Sequence, residues 1–171
     1  MARARGVPAL LDAEGEALTA ALAAAPDVVK PNAHELAGVI GGSDPEAGAA
    51  APSAAGARGV VASPAPEGLL AHTPQGVWRA RPPASVVGNS TGAADAAVAA
   101  LALGFSTGRP WPERLVEAAA LSAAAVAAPP AGDFDPGVHR DLLDTLTVRR
   151  LPHPLAGRPD SPRTRGTSAA R

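Results

Sequence analysis

Val86-Val87-Gly88-Asn89-Ser90-Thr91-Gly92-Ala93-Ala94-Asp95-Ala96-Ala97-Val98-Ala99-Ala100-Leu101-Ala102-Leu103-Gly104 is the stretch on which the reading of this chain turns. Two β-branched residues lead into a turn of small residues, and the turn opens a run that is apolar nearly all round. A helix of that composition is expected to be buried. Asp95, the only charge in the stretch, falls in the first turn of the helix. There the N–H groups of Gly92, Ala93, Ala94 and Asp95 lack carbonyl partners within the helix, and the dipole favours negative charge. Small residues at a helix N-terminus let the backbone approach an anion such as a phosphoryl group. A carboxylate beside that anion can take a proton from an attacking hydroxyl. The plainer reading makes Thr91 an N-cap and Asp95 a dipole-complementing acid. Local residues alone leave both readings open.

Working outward, residues 7–12 read as a short buried strand ending in Asp12. Residues 14–25 read as a helix with Leu18 and Leu22 at i and i+4, stopped by Pro26. A second strand spans 28–30, and Pro31-Asn32 turns the chain into a helix over 33–40. Asn32 and Glu35, spaced i and i+3, can face one way off that helix start. Glu35 can hold Mg²⁺ directly or through water, since that cation uses few carboxylates and keeps its waters; a capping pair is the alternative. His34 reads as an exposed helix residue.

Residues 41–58 are Gly, Ala, Ser and Pro without apolar period, a loop. A strand at 59–63 is followed by a Pro-rich turn to Gly68, and residues 76–80 alternate as a further strand with Trp78 as a packing residue. Residues 111–128 form a helix with Leu115, Ala118, Ala119, Ser122 and Val126 on one stripe. A short helix over 138–143 and an edge strand over 146–149 complete the ordered chain. From 152 onward Pro, Arg, Ser and Gly dominate, and 151–171 is expected to be a disordered tail. Strand and helix alternate, which argues for an α/β fold with a mostly parallel sheet flanked by helices.

Composition sets outer bounds. The chain has 171 residues, room for one domain with a core. Aromatics are 2% and Gly and Pro number 18 and 19, so the core must be built from Ala, Val and Leu. A net charge of −1 gives no electrostatic case for nucleic acid or an anionic membrane. No cysteine means no disulfide framework or thiolate chemistry. No apolar run is long enough for a transmembrane helix, and the N-terminus does not read as a signal peptide, so a cytoplasmic protein is expected. No Gly-x-x-x-x-Gly-Lys-Ser/Thr occurs, so a P-loop kinase is excluded as a match.

Asn89-Ser90-Thr91-Gly92-Ala93-Ala94-Asp95 resembles the C-terminal signature of the ribokinase-like (PfkB) carbohydrate kinases. That signature has a polar lead-in, Thr-Gly-Ala-Gly-Asp, and a small-residue helix. This resemblance implies an anion hole at Gly92, Ala93 and Ala94 and a catalytic base at Asp95. Ala94 stands where the family has glycine, and a positive φ there, or close approach to phosphate, would strain it.

Val29-Lys30-Pro31-Asn32-Ala33-His34-Glu35-Leu36 is similar to the family's Asn-x-x-Glu motif, which implies Mg²⁺ and phosphate handling by Asn32 and Glu35. Leu10 through Leu18 looks like the 1-phosphofructokinase and tagatose-6-phosphate kinase branch. At 63–68 the family carries Ser/Thr-x-Gly-x-x-Gly, a nucleotide-phosphate loop. Ser63 and Gly68 match it, Ala65 replaces a glycine, and Pro64 and Pro66 remove N–H donors. The helix from Trp111 would line the adenine pocket, with Ser122 as its polar candidate.

The resemblance implies a ribokinase-like α/β sandwich over 1–150, representing the C-terminal, nucleotide-binding half of such a domain. It implies ATP and Mg²⁺ as cofactors and a phosphorylated sugar as partner, and leaves room for a homodimer. The expected activity is phosphorylation of a sugar or sugar phosphate by a truncated or impaired kinase. The alternatives are a non-catalytic nucleotide-binding remnant and a nonfunctional fragment.

Overall fold

The fold is described from a computed structural model, which places residues 3–32, 34–35, 57–63 and 68–152. After a 3₁₀ turn at Arg3–Arg5, the chain forms β1 (Leu10–Leu11), α1 (Gly15–Leu22), β2 (Val28–Val29) and β3 (Val60–Ala62). The hairpin of β4 (Leu69–Thr73) and β5 (Gly76–Arg81) follows. Then come α2 (Ala93–Ser106), α3 (Trp111–Ala127), α4 (Pro136–Thr145) and β6 (Thr147–Leu151). Residues 33 and 36–40 of the expected helix over 33–40, most of the 41–58 loop, residues 64–67 and the tail from 153 lie outside the described residues.

The strands form one sheet in sequence order, β1 to β6. β1, β2 and β3 are parallel, with Leu10 opposite Val28 and Val29 opposite Val60, and an Asn32–Ser63 bridge extends the second pairing. From β3 to β6 every pairing is antiparallel. The fold is thus α/β with flanking helices, and its sheet is mixed rather than mostly parallel. Connection length is the reason: only Pro74 and Gln75 separate β4 from β5, too few residues for a parallel crossover. Thr73 closes that turn, its hydroxyl donating to Gly76 O (2.9 Å) and accepting from Gln75 N (3.1 Å).

Neighbouring strand residues point to opposite faces, and both faces of this sheet are covered. One face packs Val28, Val61, Leu69, Ala71 and Ala80 against α2, α3 and α4. The other packs Val29, Val60, Ala62, Leu70 and Val77 against Leu18 and Leu22 of α1. This explains strands that read as continuous apolar runs. Trp78 is a packing residue on the three-helix face. α2 and α3 meet where Phe105 and Trp111 stand edge to face, with centroids 5.3 Å apart. Arg114 lies 4.0 Å over the Phe105 ring, and burial pulls its guanidinium pKa below the ordinary value.

α2 departs from expectation. Its buried stripe is Ala97, Ala100, Leu101 and Gly104. Ala99 and Ala102 are exposed, and Leu103 is 55% exposed. The helix lies on the outside of the helical layer, so an all-round apolar composition leaves one apolar stripe uncovered by any described residue. No helix among the described residues is long and apolar enough to cross a membrane.

Candidate active site

β2 and β3 run parallel, so the residues that follow them, Lys30 to Asn32 and Ser63, emerge on one side of the sheet. That is the side on which open α/β sheets hold ligands. A cavity of about 630 Å³ opens there. Its polar contributors include Lys30, Asn32, Ser63, Ser85, Ser90 and Ser122; its apolar ones include Leu69, Val86, Val87, Ala119, Ala123 and Val126. Gly68, Ala93 and Ala94 complete the part that concerns the motifs.

The turn into α2 is fixed by its own residues. Asn89 N–H donates to Val126 O at the end of α3 (3.0 Å), which ties the lead-in to the neighbouring helix. Asn89 Oδ1 accepts from Thr91 N–H (3.0 Å), and Ser90 O accepts from Ala93 N–H (3.2 Å). The N-cap is Gly92 rather than Thr91. Gly92 is left-handed, with φ 87° and ψ −9°, a conformation glycine adopts at no steric cost. The first bond of α2 runs from Ala96 N–H to Gly92 O (2.9 Å), so the Ala94 and Asp95 amides have no carbonyl partner within the helix. Ala94 sits inside α2, and Ala25 is the non-glycine residue with positive φ among those described. The strain expected of an alanine at 94 therefore does not arise through φ; the left-handed requirement falls two residues earlier, on Gly92.

Asp95 and Gly92 do not line the large cavity. With Thr91, Gly132, Asp133 and Phe134 they line a second one of about 480 Å³ on the other side of the turn. No Lys, Arg or His is among the described residues lining it. The turn therefore separates Ser90, Ala93 and Ala94 from Asp95.

Asn32 and Glu35 come together closely. Glu35 Oε2 accepts from Asn32 N–H (2.7 Å), Glu35 Oε1 accepts from the Asn32 side-chain amide, and Asn32 Oδ1 accepts from Glu35 N–H (2.8 Å). This reciprocal cap satisfies the helix start. Asn32 faces the large cavity and Glu35 does not line it. One amide lining the cavity with one carboxylate behind it suits a hydrated Mg²⁺, which takes one or two carboxylates plus substrate phosphates and keeps several waters. Among the described residues no group of three or more His, Cys, Asp and Glu could hold a metal by itself. His34 is exposed, as its position suggested.

Of the nucleotide candidates, Ser63, Gly68 and Ser122 all line the large cavity, and Ala65 lies outside the described residues. Gly68 has φ 84°, and a Cβ there would stand 2.1 Å from Ala80 O. Lys30 was not singled out by sequence, although it stands inside the quoted motif. It is 2% exposed, lines the large cavity, and its ammonium is 3.4 Å from Asp12 Oδ2. A buried cation needs a counter-charge, and Asp12 supplies one from the end of β1. The signal was a lysine closing an apolar strand.

These features define an α/β protein with a ligand cavity at the carboxyl ends of its parallel strands, flanked by a helix N-terminus. Residues 1–136 match the family model described as pfkB family carbohydrate kinase, and the chain belongs to that family. It is similar to 1-phosphofructokinase of Haemophilus influenzae, at 36% identity over 85% of this chain and 49% of that protein. It is also similar to 1-phosphofructokinase of Xanthomonas campestris, at 46% identity over 59% of this chain and 35% of that protein. Among solved structures, phosphofructokinase-2 from Escherichia coli in complex with potassium superimposes with a TM-score of 0.76 at 26% identity, over 84% of this chain and 48% of that one. The chain spans about half the length of the Haemophilus influenzae and Escherichia coli relatives.

Proposed function

We propose that this chain carries the nucleotide-binding machinery of a kinase that transfers a phosphoryl group from MgATP to a hydroxyl of a sugar or sugar phosphate, of the 1-phosphofructokinase kind. The observation that carries the reading is the turn at 90–95, which has a large cavity with a buried lysine on one side and a carboxylate on the other. The apolar walls at Val86, Val87, Ala119 and Ala123 take the base of the nucleotide, and Ser63, Ser90 and the Lys30 ammonium take its phosphates. Amides of the first turn of α2 hold the transferred group's oxygens as charge shifts onto the bridging oxygen. Asp95 accepts the proton of the attacking hydroxyl from the second cavity. Asn32 and Glu35 would hold Mg²⁺, which when bound neutralises phosphate charge.

The runner-up, a nucleotide-binding module without turnover of its own, is favoured by the lack of any cation in the Asp95 cavity among the described residues. A sugar phosphate would meet no cation there among the described residues.

Calorimetry with MgATP tests the reading. Saturable binding is expected, weakened at least tenfold by Lys30→Met and kept with Asp95→Asn. No heat from the folded wild-type chain would overturn it.

A further inference from the structure

β5 is an interior strand, paired with β4 on one side and β6 on the other. Alternation gives it two unlike faces. Trp78 packs and Ala80 is buried on the three-helix face. Val77, Arg79 and Arg81 share the other face, where Val77 joins Leu70 and Leu18 in the apolar core. The register sets Leu151 opposite Val77, Arg149 opposite Arg79 and Thr147 opposite Arg81. Arg79, Arg81, Thr147, Arg149 and Leu151 line a cavity of about 250 Å³. It shares no lining residue with the two cavities beside the 90–95 turn.

Among the described residues, three arginines and no carboxylate line this cavity. Arg79 is half-buried, and Arg81, Thr147 and Arg149 are exposed. Arg81 and Arg149 have no ion-pair partner among the described residues. Arg150, on the other face, is by contrast employed: it lies 5.5 Å over the Trp78 ring and donates to Gln75 O (2.9 Å). Guarding a sheet edge against a further strand accounts for Arg149 and Arg150. It does not account for Arg79 and Arg81, which stand one strand inside. Like charges directly opposite on paired strands are unfavourable, so Arg79 and Arg149, with Arg81 beside them, cost stability on their own. An anion between them offsets that cost, and forked guanidinium donors match phosphate oxygens two at a time. We propose that this cavity is a second anion site, and that it takes a compact polyphosphate with at least two phosphoryl groups. Arg79 and Arg81 are set roughly 7 Å apart along β5 by two residues of strand rise, a span that suits two phosphoryl groups better than one. The volume is well under half that of the larger cavity, which favours a compact ligand over a nucleotide. α1 packs on the same face and presents exposed Glu14 and Glu16 at its start, which disfavours an extended polyanion such as nucleic acid.

The test is calorimetry on the full 171-residue chain with inorganic pyrophosphate at physiological ionic strength, where weak surface charge effects are screened. Pyrophosphate is expected to bind at least tenfold more tightly than orthophosphate. Arg81→Gln and Arg149→Gln should each weaken it at least tenfold. Both positions are exposed, and without ligand the urea midpoint of Arg149→Gln should be unchanged or higher, since a like-charge pair is relieved. Pyrophosphate should raise the thermal midpoint of the wild-type chain and leave that of Arg149→Gln where it was. No heat from the folded wild-type chain overturns the proposal. Binding indifferent to both arginine variants also overturns it, since it assigns the ligand to the larger cavity. Equal affinity for orthophosphate removes the claim to two phosphoryl groups, and tighter binding of hexaglutamate than of pyrophosphate overturns it in favour of an acidic peptide. MgATP binding by Arg149→Gln, expected unchanged, reads the proposed function separately.

Discussion

The cavities on the two sides of the 90–95 turn are built from unlike materials. The larger is assembled from both layers of the fold: strand ends supply Lys30, Asn32 and Ser63, and α3 supplies Ser122 and small apolar residues. Among the described residues the smaller is made by Thr91 and Gly92 of the turn, α2, α3 and the 131–134 segment, and its charged residues are Asp95 and Asp133. A cavity with a buried cation suits a polyphosphate. A cavity with two carboxylates and no cation can receive a proton but cannot hold a phosphorylated acceptor in place. On the proposed reading, a base and an anion-binding turn stand in this chain while no cation to position the second substrate does, among the described residues.

The widest test of that contrast is turnover. A well-held acceptor is worth roughly 7–11 kcal/mol of barrier, whereas a general base contributes about 10²–10⁴-fold. The chain alone is therefore expected to show no measurable phosphorylation of fructose 1-phosphate, tagatose 6-phosphate or simple hexoses in a coupled ATP assay. Slow ATP hydrolysis, lowered by Asp95→Asn, should remain. Robust turnover on any sugar would mean that the smaller cavity holds its acceptor after all.

Next in size is Gly68→Ala, which tests whether the floor of the larger cavity is fixed by backbone. The Cβ would meet Ala80 O at 2.1 Å and the φ is 84°. Strain of this kind costs on the order of 1–3 kcal/mol before the clash is added. Urea unfolding should show an unfolding free energy lowered by at least that amount, or no folded protein; an unchanged midpoint would remove Gly68 from the frame of the site.

Lys30→Met compares the cavities by charge. Losing hydrogen bonds from a charged group costs about 1.5–3 kcal/mol, so MgATP should bind at least tenfold more weakly while adenosine is scarcely affected. Equal losses for both ligands would show that Lys30 acts on the fold, through Asp12, and not on phosphate. Ala94→Gly is expected to tighten MgATP by about tenfold or less, since Ala94 is unstrained and only its Cβ stands between backbone and phosphate.

Much of this was legible in the residues. The strand runs and the helix from Trp111 were readable because their apolar pattern is strong, and the Asn32–Glu35 contact followed from spacing alone. Strand direction was misread for β3 to β6, although the two-residue connection at Pro74 and Gln75 already excluded a crossover. The half-exposed α2 was not readable, because composition says that a face is apolar and not what covers it. Lys30 was visible as a letter, but its burial depends on where β1 brings Asp12. Asp95 was legible as a residue of the first turn of α2, yet the separation of the two cavities depends on how α2 crosses α3.

The smallest expected effect belongs to Glu35→Gln, and it decides what the Asn32–Glu35 pair is for. Both Glu35 oxygens accept from Asn32, so the residue has a full set of partners without any metal. Glutamine keeps one acceptor oxygen and turns an N–H₂ toward an Asn32 donor. As a cap alone, the change should cost about 0.5–1 kcal/mol in thermal or urea unfolding and leave the Mg²⁺ requirement of nucleotide binding untouched. If the carboxylate also orients a hydrated Mg²⁺ at the nucleotide phosphates, the Mg²⁺ concentration for half-maximal ATP binding should rise by about tenfold, the scale on which groups behind a metal's direct ligands act. The second outcome is expected, because Asn32 lines the larger cavity and is held by Glu35 through both its backbone and its side-chain amide. A stability loss with an unshifted Mg²⁺ dependence would reduce the pair to a helix cap and leave the larger cavity with Lys30 as its sole charge toward the nucleotide among the described residues lining it.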